Sequence, residues 1–183
     1  MLNYEAYDDN HLIDLVQSGD QASFNALYDR YFSTVYKRVR YKIPDRDVDD
    51  VTQEIFITVL KSLPSFQGRS QFSTWLRTLV NRQIANYYRT RERKVEEEPI
   101  YDGQVFPKDG HAGDDKHTER IAIRKALQEL PQHYQEVILL RFAEGLKFAE
   151  ISDVLKQNPE AVKSLFRRAV ASLRSELEKD YDA

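Results

Sequence analysis

Apolar residues recur at three- and four-residue spacing along most of this chain, and strict alternation is rare, so the pattern predicts helices and few strands. A first short helix carries Leu12, Leu15 and Val16 and ends at Ser18-Gly19-Asp20. Asp20 is placed to cap the second helix, whose broad apolar face is Phe24, Leu27, Tyr28, Tyr31, Phe32, Val35, Tyr36 and Val39. Pro44 closes that helix, and Asp45 or Asp47 opens a third with Val48, Val51, Thr52, Ile55 and Val59 on its inner stripe. After a loop at 63–70, a fourth helix runs from about Gln71 to Arg93 with Trp75, Leu76, Leu79, Val80 and Ala85 inward. Helices near 119–130 and 133–144 come next, followed by a short helix, a polar turn and a longer helix within 147–178. The expected fold is all-α, with a four-helix bundle in the first half and a helix-turn-helix in the second.

The stretch between them differs in kind. Residues 95–117 hold seven acids against Lys108 and Lys116, include two Pro and three Gly, and show no helical period. That makes an acidic flexible linker, and the expected organisation is 1–95, 96–117 and 118–183.

Charge is sorted rather than mixed. The formal net charge is −3, yet residues 73–94 hold Arg77, Arg82, Arg89, Arg91, Arg93 and Lys94 against Glu92 alone. Aromatics are interleaved with these cations: Phe66 and Phe72 near the loop, then Tyr87 and Tyr88. Cations for phosphates beside flat rings for exposed bases suit single-stranded nucleic acid. Phe72 and Trp75, by their spacing, belong to the core; Tyr88 and the 66–70 loop carry the functional reading.

The helix-turn-helix offers a second chemistry. Asn158-Pro159 stops one helix and starts the next, and Val162, Leu165, Phe166, Ala169 and Leu173 form the inner stripe. Lys163, Ser164, Arg167, Arg168 and Arg174 fall on the opposite side, at about 100° per residue. Glu160 and Ala161 occupy the first turn, where a helix inserted in the major groove meets base edges.

On the third helix Asp47, Asp50 and Glu54 form an outer acidic row, with Gln53 and Ile57 beside them. A β-branched residue on a charged face gains from being covered, so this row suits a protein partner with basic side chains. Four scattered histidines and no cysteines leave no metal or catalytic constellation, so neither a cofactor nor enzymatic chemistry is expected. No membrane-length apolar run and no leader-like start occur, which points to a soluble cytoplasmic protein. A stand-alone helix-turn-helix regulator remains an alternative, though it gives the first 95 residues no task.

Three segments resemble region 2 of bacterial sigma factors: AspArgAspValAspAspValThrGlnGluIlePhe (45–56), PheSerThrTrpLeu (72–76) and AsnTyrTyrArgThrArgGluArgLys (86–94). LeuGlnGluLeuPro (127–131), ValIleLeuLeuArgPhe (137–142) and AlaValLysSer (161–164) are similar to region 4. The layout without an intervening domain resembles the extracytoplasmic-function (ECF) group. The resemblance implies a subunit that joins core RNA polymerase, selects promoters and helps melt the −10 region. By it, Asp47, Asp50, Gln53, Glu54 and Ile57 meet the polymerase clamp helices. Phe66, Arg69, Arg77, Arg82, Asn86, Tyr88, Arg89, Arg91 and Arg93 hold the −10 single strand. Lys156, Glu160, Ala161, Lys163, Ser164, Arg167 and Arg168 read the −35 duplex, and the acidic stretch enters the RNA exit path. It further implies a monomer when free, held by an anti-sigma factor until a signal releases it. The sequence departs from the family at Lys156, where a Gly is common, and at Leu165, where an Arg is common.

Overall fold

In a computed structural model of the chain, residues 4–97 and 115–181 are described, with side chains over 4–91 and 118–179. Among them are eight α-helices and three short 3-10 turns. The helices are α1 (Asp9–Gln17), α2 (Gln21–Arg40), α3 (Val48–Ser62), α4 (Phe72–Glu97), α5 (Asp115–Glu129), α6 (Gln132–Phe142), α7 (Phe148–Leu155) and α8 (Pro159–Tyr181). Contacts divide the chain into two units, one built on α1–α4 and one on α5–α8. Helices α4 and α5 extend to Glu97 and from Asp115, inside the stretch read as linker; the rest of that stretch lies outside the described residues.

The first unit closes around Leu12, Leu27, Val39, Ile55, Val59, Leu63 and Val80, each at most 2% exposed. Capping follows the sequence: Asp20 Oδ1 accepts the Ala22 N–H at 3.1 Å, and Asp20 Oδ2 accepts the Ser23 hydroxyl at 2.5 Å. Gly19 just before it takes φ +100°, a left-handed turn that glycine adopts without strain. Asp9 of α1 ties to α2, pairing with Arg30 at 2.5 Å and accepting the Tyr31 hydroxyl. Arg38, 2% exposed, gives its Nε–H to Asn81 Oδ1 of α4 at 3.1 Å, so this buried cation has a polar partner.

The inner stripe expected for α3 is buried at all five positions. Two other expectations need correcting. Ala85 is exposed and Ile84 is buried in its place, because the stripe of α4 steps by four through Leu76, Val80 and Ile84. Phe32 is 36% exposed, because it lines the open side of the α2–α3 packing beside Phe56.

The second unit is organised by α6, whose consecutive Val137, Ile138, Leu139 and Leu140 are all buried, so apolar neighbours surround it. Helices α7 and α8 pack on it through Ile151, Val162, Leu165 and Ala169. Leu165 faces inward at 7% exposure, as its spacing requires, while Phe166 and Leu173 are half-buried.

Candidate functional site

Three surfaces carry the candidate residues. On α3, Asp50, Gln53, Glu54 and Ile57 are all exposed, and Ile57 stands 45% open to solvent. Gln53 and Ile57 line a groove of about 480 Å³ between α2 and α3, floored by Phe24, Tyr28, Phe32, Tyr36 and Phe56. Ring contacts set that floor: Tyr28 and Phe56 lie 4.6 Å apart, and Tyr28 and Phe32 5.2 Å, centroid to centroid. Leu60, 40% exposed, closes one end and was missed in the sequence; it lies one turn beyond Ile57, but carries no charge pattern to mark it. The groove is apolar inside with Asp49, Asp50 and Glu54 along or near its rim, which suits an amphipathic helix with basic flanks. Asp47 does not join this surface in the same way, because its carboxylate is hydrogen-bonded to α4.

The second surface is the loop before α4 together with α4 itself. Gln17 of α1 donates its Nε2–H groups to the Leu63 and Phe66 carbonyls at 3.1 and 2.9 Å, which fixes the loop's start. Phe66 is half-buried, edge-on to Phe72 at 6.1 Å and tilted on Trp75 at 5.2 Å, so its ring caps an aromatic cluster. Gly68 turns the chain at φ +65°, and Arg69 beyond it is exposed. Along α4, about 100° per residue separates the candidates into two stripes. Arg82, Asn86 and Arg89 share the outer one, with Arg93 on the same stripe and its side chain outside the described residues. Arg77, Tyr88 and Arg91 share the other, at the margin of the buried face.

At the end of that second stripe Tyr87, half-buried, donates its hydroxyl to Asp47 Oδ2 at 2.6 Å. Burial first, and then the neighbouring carboxylate, pushes its hydroxyl up to about 12. Arg91 donates to both Asp47 and the Tyr87 oxygen, and the latter bond holds its guanidinium above its ordinary range. The tie is invisible in sequence because its partners are 40 residues apart.

The third surface is the helix-turn-helix. Glu150 accepts the Lys147 N–H at 2.6 Å at the start of α7. The helix ends at Lys156, the one non-glycine with positive φ among the described residues, at φ 52° and ψ 44°. Its geometry is pinned: the Gln157 N–H reaches the Ser152 carbonyl at 3.1 Å, and the Ser152 hydroxyl donates to the Gln157 carbonyl at 2.5 Å. Lys156 thus holds a left-handed turn of the kind that glycine adopts without strain. Asn158 Oδ1 then accepts the Ala161 N–H at 2.8 Å, capping α8, with Pro159 in first position.

On α8, Glu160, Lys163, Ser164 and Arg167 fall on one outward stripe, with Ala161 and Arg168 flanking it. Lys163 bonds Glu160 at 2.8 Å, which lowers the Glu160 carboxyl below its usual range. Arg167 and Arg168 reach Ser164 through its hydroxyl (3.3 Å) and its carbonyl (3.4 Å). The second unit also exposes Phe142 at 61%, against Phe166, an apolar position the sequence reading overlooked. No helix among the described residues is long and apolar enough to cross a membrane.

Among the described residues the fold is all-helical, with a helix-turn-helix in one unit and cations interleaved with aromatic rings in the other. Comparison with known proteins gives the class a name. Residues 27–94 match sigma-70 region 2, and residues 120–173 match sigma-70 region 4. The chain is 30% identical to the ECF RNA polymerase sigma-E factor of Escherichia coli over 92% of that protein and 90% of this one. It is 30% identical to the ECF RNA polymerase sigma factor BldN of Streptomyces coelicolor, spanning 92% of this chain and 66% of BldN's length. The structure of CnrH in complex with the cytosolic domain of CnrY superposes with TM-score 0.65 at 25% identity, covering 94% of this chain and 98% of that one. This chain belongs to the sigma-70 family of RNA polymerase sigma factors, in its ECF group.

Proposed function

We propose that the chain docks on core RNA polymerase through Asp50, Gln53, Glu54, Ile57 and the α2–α3 groove, and then handles promoter DNA in two forms. Arg69, the outer stripe of α4 and Tyr88 hold the opened non-template strand of the −10 element. Lys156, Glu160, Lys163, Ser164, Arg167 and Arg168 read the −35 element while it is still duplex. The observation that carries this is the contrast between the two nucleic-acid surfaces. Rings among arginines have nothing to stack on in intact duplex, whereas α8 offers a narrow polar stripe suited to a major groove.

Energetics support the division. Extruding a base costs a few kcal/mol, and stacking on an aromatic ring returns about 1–3 kcal/mol per base, so Tyr88 and the neighbouring cations are of the right scale. The protein performs no bond chemistry in this scheme; it lends binding energy to strand separation.

The same exposed surfaces suit an inhibitory partner, an anti-sigma factor, in the cytoplasm. Ile57, Leu60 and Phe32 are 45, 40 and 36% exposed around one groove, and such patches mark interaction sites. The similar CnrH is itself seen bound to the cytosolic domain of another protein. The free chain is then a monomer whose docking face is covered in turn by inhibitor or polymerase. Run-off transcription with reconstituted holoenzyme tests the scheme: promoter-dependent transcripts that require this chain support it. Tight duplex binding by the isolated chain, with no transcript from core plus chain, would favour a stand-alone regulator instead.

A further inference from the structure

Asp47 stands at the head of α3, in the position where an Asp ordinarily accepts an amide of its own helix, yet it makes no such cap. Its Oδ2 instead accepts the Tyr87 hydroxyl at 2.6 Å and an Arg91 N–H at 3.2 Å, with Arg46 Nε at 3.3 Å on the same oxygen. Arg91 closes the triangle by donating to the Tyr87 oxygen and lies 5.5 Å from the centre of that ring. Tyr87 in turn stands edge-on to Tyr88, centroids 5.2 Å apart at 84°. One carboxylate at the end of the polymerase-facing helix therefore governs two side chains on the strand-facing helix, and touches a third through them.

We propose that Asp47 is a positioning residue for strand capture, not a polymerase contact. Resting on the strand-holding role proposed for α4, the inference is that Asp47 fixes the rotamers of Tyr87 and Arg91, and through the Tyr87 ring that of Tyr88, before DNA arrives. Long side chains that must be ordered on binding weaken it, by about two- to tenfold for each rotamer-rich group. An exposed ion pair alone stabilises little, so the contribution of this carboxylate lies in preorganisation more than in folding.

The test uses holoenzyme reconstituted from core polymerase and the full chain, carrying Asp47→Ala, Tyr87→Phe or both. The probe is a fluorescent single-stranded oligonucleotide with the non-template sequence of a promoter that the wild-type holoenzyme transcribes. Both single variants should bind core within about twofold of wild type and the oligonucleotide about three- to tenfold more weakly. The double variant should be no weaker than either single one, since both substitutions break the same contact. Loss of core binding by Asp47→Ala, with strand binding intact in Tyr87→Phe, overturns the inference and returns Asp47 to the docking surface. Additive losses, or none, also overturn it. Failure of wild-type holoenzyme to bind the strand at all is a separate result; it removes the role proposed for α4, and this inference with it.

Discussion

Replacing Lys156 by Gly should make the protein more stable and its DNA binding weaker, two effects of opposite sign from one substitution. Lys156 sits at φ 52°, held there by the paired bonds between Ser152 and Gln157, so the turn cannot relax around it. A left-handed conformation costs an ordinary L-residue about 1–2 kcal/mol. Glycine removes that strain but loses about 0.5–1 kcal/mol more backbone freedom on folding. The two ranges leave a net gain of about 0–1.5 kcal/mol, with a midpoint of about 0.75 kcal/mol that corresponds to about 3–6 °C in the melting of a unit this small. Lys156 is exposed at the turn before α8, where its ammonium can meet a backbone phosphate of the −35 duplex; deleting that one contact should lower the slope of log K against log salt by about 0.9. Far-UV circular dichroism or amide exchange in α7 and α8 reads the stability, because the lone Trp75 belongs to the first unit. Holoenzyme binding to duplex at several salt concentrations reads the slope. Lys156→Ala separates the two effects: it keeps the strain and loses the charge, so only the slope should change. A lower melting temperature for Lys156→Gly would refute the strain argument, and an unchanged slope would refute the phosphate contact.

Other consequences are equally direct. Ile57→Lys should reduce core polymerase affinity at least tenfold, about 1.4 kcal/mol, while thermal stability changes by less than about 0.5 kcal/mol, because Ile57 is 45% exposed in the free chain. Thr52→Val should raise stability by about 1 kcal/mol in denaturant melts, since the Thr52 hydroxyl is buried without a partner and a methyl group fits its space. Glu160→Ala should relax selection at one base pair of the upstream element, by about 1–3 kcal/mol if Glu160 accepts from a cytosine amino group; sequencing of selected promoters reads this. Tyr87, raised from 10.0 to about 12 by burial and then by Asp47, contributes stability that is complete below pH 10 and lost as pH rises through 12. Alkaline melts over that window should therefore show a smaller loss for Tyr87→Phe than for wild type.

The helices were legible because their apolar periods are unbroken: every inner position of α3 was readable, and Leu165 was placed inside against the family's habit. Surfaces were less so. Phe32 and Tyr36 belong to the apolar face of α2, but periodicity cannot say whether a neighbour covers a face. The step from Val80 to Ile84 or Ala85 is ambiguous in any helix, and packing alone decides it. Asp47 looked equivalent to Asp50 because both are acids at the start of one helical pattern; only the fold brings Tyr87 and Arg91 to one of them. Lys156 was visible as a departure, but its left-handed backbone was not, since nothing in a lysine announces that conformation.

The central claim is that the first unit holds separated DNA while the second holds duplex. The chain has no cysteine, so a single one introduced at exposed Ala85 or at exposed Gln157 can carry a DNA-cleaving reagent without background. In open complexes, the reagent at Ala85→Cys should cut one strand only, within the melted segment, and the reagent at Gln157→Cys should cut both strands of the upstream duplex. Cleavage of paired DNA from both positions, or of upstream duplex from Ala85→Cys, would contradict the account.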